Sequence, residues 1–132
     1  MDKVLRRWRI LSLILGFALF LWLPFEDHNA SLVTIFAIAI NILVILRILL
    51  VLDDKGIHKR WFIYPLCSVL AGPGITLISL LLMAFKSGLH GHGFPDFTPG
   101  QVILTLRLTP IWTMAGLLIG LGAGILSQTS SR

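Results

Sequence analysis

The residues best equipped for chemistry in this chain lie in its short polar gaps. His90-Gly91-His92 is followed by Asp96, and Glu26-Asp27-His28 occupies another gap. Imidazoles and carboxylates brought together can hold a divalent metal or titrate near neutral pH. His90, His92, Asp96 and His28 are therefore candidate metal ligands, although their spacing matches no defined metal motif. The lone Cys67 has no second cysteine to pair with and falls in an apolar stretch, where a thiol is unreactive. There is no Ser/His/Asp set, no thiol pair and no dense metal cluster, so no catalytic residue is assigned and an enzyme is not expected.

A second group of chemically capable residues is apolar in its surroundings. Of the 11 lysines and arginines, only Arg47 and Arg107 lie inside long apolar runs. A guanidinium in such a place is costly and marks a lipid, partner or substrate contact. Helical side chains lean toward the N-terminus, which carries Arg107 toward the nearer interface and Arg47 away from it. Arg47 is then expected to bend back to Asp53 or Asp54, to meet backbone carbonyls of another helix, or to meet a partner subunit or lipid headgroup. Asn41 sits in the same run as Arg47, where an amide is expected to hydrogen-bond between helices.

The elements that carry these residues are membrane helices. The 132 residues are 56% hydrophobic and 13% charged, against the roughly 25% charged residues of a soluble domain. Apolar runs cover 10–25, 30–52, 61–85 and 101–126. The last three exceed the roughly 20 residues that cross a hydrocarbon core, and Trp8 and Trp22 bracket the shorter first run like interfacial anchors. The first run lacks a small-x-small cleavage site and is read as a retained helix. The expected fold is all-α: a single transmembrane domain over 1–132, with spans at about 9–25, 30–52, 60–85 and 99–126. Short connections, including 86–98, make consecutive helices antiparallel neighbours in an up-down-up-down bundle.

Charge orients that bundle. With the N-terminus in the cytoplasm, Lys3, Arg6, Arg7, Arg9, Lys55, Lys59, Arg60 and Arg132 lie inside and Lys86 alone lies outside. This is a positive-inside pattern with both termini cytoplasmic, in a bacterial inner or thylakoid-type membrane. The net charge of +5 follows from that bias and from attraction to anionic lipid, so nucleic acid is not an expected partner.

Local signals add detail. Thr98-Pro99-Gly100-Gln101 reads as a capping box with proline at the first helical position, which starts the fourth helix near Pro99. Gly116, Gly120 and Gly124 line one face of that helix and predict close approach of another backbone. Shorter small-residue series join Ser12 to Gly16, and Ser68 to Gly72 and Thr76. Gly72-Pro73-Gly74 predicts a kink in the third helix, and Pro110 a second one beside Arg107.

The expected function is that of a non-catalytic small subunit, or an assembly or stabilising factor, of a larger membrane protein complex. Arg47, Arg107, Gly116, Gly120 and Gly124 are its expected partner or lipid contacts. An energy-converting complex is one such host, though no residue selects it. The alternative is a small oligomeric transporter or channel with a site at the kinked third helix. The expected partners are the bilayer and other integral membrane subunits or a second copy. No cofactor is predicted, and binding of a pigment or lipid remains open.

Overall fold

The structure, a computed structural model, describes residues 2–25, 29–54, 62–90 and 96–129. These residues are all helical or connecting: α1 (Asp2–Trp22), α2 (Ala30–Asp54), α3 (Ile63–Val69), α4 (Ala71–His90), α5 (Pro99–Arg107) and α6 (Thr109–Thr129). They make four rods, because α3 and α4 are separated only by Leu70, and α5 and α6 only by Leu108. Each break lies within three residues of a proline. Pro73 and Pro110 each lack the N–H that would bond four residues back, which interrupts the ladder one turn earlier. The ladder resumes at once, with Gly74 N–H on the Leu70 carbonyl at 3.0 Å and Trp112 N–H on the Leu108 carbonyl at 3.1 Å.

Three helical stretches are long and apolar enough to cross a membrane: Ala30–Leu52, Ile63–His90 and Pro99–Thr129. The chain is thus a helical, multi-pass membrane protein in contact with lipid. The start of the last stretch matches the capping reading closely. Thr98 has extended backbone, its hydroxyl accepts from Gln101 N–H at 3.3 Å, and the Gln101 side chain accepts from Thr98 N–H at 2.8 Å. At the start of α2, Asn29 does similar work, its side chain accepting from Ser31 N–H at 3.0 Å.

Two expectations need correction. The third rod runs to His90, so Lys86 and His90 belong to a helix rather than to the expected 86–98 connection. Gly72, Ile75, Thr76, Ser79, Met83 and Lys86 form its buried stripe, and that 3.6-residue periodicity carries the helix past the charge. Trp22, expected as an interfacial anchor, is only 8% exposed and belongs to a core cluster with Val33, Met83 and Phe97.

The rods pack largely as a row. α1 lies on α2, α2 on α4, and both α3 and α4 on α6. The tightest seam is between α3–α4 and α6. A side chain at Gly116 would collide with the Ser68 carbonyl, and one at Gly120 would come within 2.7 Å of Pro65 Cα. Backbones there approach as only glycine permits.

Candidate functional site

Polar residues of α2, α4 and α6 converge between the two breaks. Gly72 lies against the backbone and hydroxyl of Thr113, and Gly74 against the Asn41 amide. Thr76 and Thr109 hydroxyls are 2.7 Å apart, joining α4 to α6 across the breaks. Thr76 also donates to the Gly72 carbonyl at 3.1 Å, and Thr113 donates to the Thr109 carbonyl at 2.8 Å. The hydroxyls therefore satisfy the backbone and each other at a depth where water is scarce. Asn41 is 6% exposed and reaches this group from α2. It also lines a 250 Å³ cleft, together with Ser68, Ile75 and Trp112.

Gly72, Gly74 and Asn41 are thus gathered at one place, with Pro73 exposed beside them. Pro110 is exposed at the adjoining break of the last rod. Gly116, Gly120 and Gly124 are all buried, and the first two face Ser68 of this same chain. The shorter Ser12–Gly16 series does not pack in this way, because space around Gly16 is open to 4 Å.

The two span arginines are far apart in role. Arg47 is exposed on α2, and its guanidinium carbon stands 5.4 Å from the centroid of the Trp8 ring. The Trp8 indole N–H donates to the Leu43 carbonyl at 2.8 Å, which fixes the ring against α2 one turn from Arg47. Asp54 shares a groove with Arg47 but is not ion-paired to it. Arg107 is exposed on α5 and forms no ion pair or hydrogen bond among the described residues. Sequence reasoning missed Trp8 as the neighbour of Arg47, because hydropathy does not fix the register between two apolar helices.

It also missed the cation at the other end of α1. Lys86 is 0% exposed, and its Nζ lies 3.9 Å above the Trp22 ring centroid. Trp22 in turn packs on Phe36 at 5.1 Å. A signal for this was present in the spacing of Thr76, Ser79, Met83 and Lys86, which places the lysine on the buried face.

Of the candidate metal ligands, His90 Nδ1 and Asp96 Oδ2 are 2.6 Å apart, and Asp96 N–H donates to Ser87 Oγ at 3.2 Å. Asp96 is 4% exposed, and the pair holds it against the end of α4. His28 and His92 lie outside the described residues. Among the described residues no group of three or more His, Cys, Asp or Glu side chains could hold a metal. Comparison with known families, curated proteins and solved structures finds no match to this chain. Its chemistry is therefore read from these contacts. They join helices through hydroxyls, an amide and two cation–aromatic pairs, and they leave one span guanidinium facing outward.

Proposed function

We propose that the chain is a non-catalytic small integral-membrane subunit, or a stabilising factor, of a larger membrane protein complex. Its four rods cross the bilayer alternately, with both termini in the cytoplasm of a bacterial inner or thylakoid-type membrane. The observation that carries this reading is Arg107. It lies within the Pro99–Thr129 candidate span, faces away from the chain's own core, and makes no polar contact with described residues. With its start at Pro99, α5 places this guanidinium about 12 Å along the rod. Its lean toward the nearer interface lets the guanidinium reach the headgroup level, where an acidic or carbonyl group of another subunit can meet it.

Solubilisation in mild detergent, followed by native electrophoresis and mass spectrometry of co-migrating proteins, tests the proposal. A stoichiometric larger partner is expected with the native chain and is lost in Arg107→Leu, while the isolated variant still folds. Retention of the same partner by Arg107→Leu would remove the basis of the reading.

A second reading is a small oligomeric transporter or channel, favoured by the 250 Å³ cleft that reaches Asn41 beside the broken third rod. The polar groups around that break are closed on one another, which supports a structural kink over a solute site. A homo-oligomer that moves a solute into liposomes would reverse this preference.

A further inference from the structure

The end of the molecule that carries the N-terminus of α1 holds a second feature unrelated to Arg107. A cleft of 360 Å³ opens between α1, α2 and α3. Its lining changes character with depth. Arg7 is five residues from the start of α1, Leu50 four from the end of α2, and Tyr64 second in α3, so all three lie within about 8 Å of their helix ends. Leu11 and Leu46 are about 12–14 Å from those ends and form the deeper wall. Arg7 is exposed, and Lys3, Arg6 and Arg9 crowd the same end of α1. Asp54, at the end of α2, lies in a different groove beside Arg47.

We infer that this cleft binds one anionic phospholipid of the surrounding bilayer, with its phosphate on Arg7 and the Tyr64 hydroxyl and one acyl chain along Leu11 and Leu46. Charge decides the headgroup, because the cation at the cleft belongs to a strongly basic helix end. Depth decides the rest of the molecule. A phosphate without a chain leaves the apolar wall of Leu11 and Leu46 uncovered. Basic pockets between membrane helices on the cytoplasmic side suit such lipids on general electrostatic grounds. Trp8 also lines the cleft, so an occupant there meets the ring that Arg47 and Leu43 hold.

The full chain, purified in mild detergent and stripped of lipid, is titrated with phosphatidylglycerol or phosphatidylcholine of identical acyl chains, and bound lipid is counted by native mass spectrometry. One phosphatidylglycerol is expected to bind about fivefold more tightly than phosphatidylcholine, the effect of one cation near the membrane surface. Arg7→Gln abolishes that preference. Arg9→Gln removes the same charge about 200° around the helix and leaves it intact. Leu46→Trp fills the deep wall and lowers binding of both lipids while Arg7 is untouched. Equal losses in Arg7→Gln and Arg9→Gln would mean diffuse attraction and overturn the site. Unchanged binding in Leu46→Trp would overturn the placement of the chain. Thermal unfolding of each variant identifies any that fails to fold, and Leu11→Phe then provides a milder filling of the same wall.

Discussion

The first helix is tied to the rest of the molecule by a tryptophan at each end, and the two ties are built differently. At one end Trp22 is 8% exposed, with Phe36 5.1 Å away and the fully buried Lys86 3.9 Å above its ring. At the other, Trp8 is half-buried, held by one hydrogen bond to Leu43 and by an exposed Arg47 at 5.4 Å. The Trp22 end is closed by a core cluster that draws on α1, α2, α4 and the Phe97 segment. Around Trp8 the helices stand apart, leaving the 360 Å³ cleft on one side and a 220 Å³ groove on another. One end of α1 is thus part of the protein interior. The other is a bracket with room beside it, and lipid is the material available to fill that room.

Trp22→Ala is the strongest way to break this comparison. It removes the ring beneath Lys86 and the packing against Phe36, at a cost of about 3–5 kcal/mol for a buried aromatic. The expected readout is loss of cooperative thermal unfolding in detergent, with α1 becoming protease-sensitive. If Trp22→Ala destabilised no more than Trp8→Ala, the two ends would be equivalent and the contrast would fail.

Gly116→Ala tests the seam that supports the closed end. The new methyl meets the Ser68 carbonyl and lies 3.1 Å from Ala71 Cβ, so backbone must move. Overpacking of this kind costs about 1–3 kcal/mol. Gly122→Ala, where nothing lies within 4 Å, is expected to be neutral or slightly stabilising in the same unfolding measurement. Equal effects at the two glycines would show that α6 does not pack through this face.

How much of this was legible in the sequence follows from what kind of signal each feature leaves. The capping box at Thr98, the two breaks and the long apolar rods are local, and each can be read from a few adjacent residues. The face carrying Gly116 and Gly120 was legible, but its neighbour was not, since spacing on one helix does not identify the helix opposite. Lys86 was misread because a charge ending an apolar run resembles a loop marker. Its place is fixed by Trp22, which lies 64 positions earlier in the chain. Trp8 and Arg47 depend on the register of α1 against α2, and two nearly uniform apolar surfaces encode register weakly. Of the candidate metal group, His90 and Asp96 meet, and His28 and His92 lie outside the described residues.

At the open end, Trp8→Phe keeps an aromatic face for Arg47 but removes the indole N–H that reaches the Leu43 carbonyl. Loss of one neutral hydrogen bond costs about 1 kcal/mol. The Leu43 carbonyl sits within α2 and keeps its place in the helix ladder, so no orphaned acceptor adds to that cost. A lowered unfolding temperature with unchanged helix content is the expected result. An effect as large as that of Trp22→Ala would instead make the hydrogen bond the main attachment of α1.

Arg47→Gln should have the smallest effect and is the most discriminating of the series. An exposed cation–aromatic contact is worth about 0.5–1 kcal/mol. The glutamine stem still covers part of the Trp8 ring, so the isolated chain should unfold within about 1 kcal/mol of the native protein. Trp8 fluorescence should shift modestly as the charge above it is removed. A much larger loss of stability would mean that Arg47 holds the two helices together. The open end would then be a second structural clamp, of the same kind as Trp22 and Lys86, and the division between a closed end and an accommodating one would disappear.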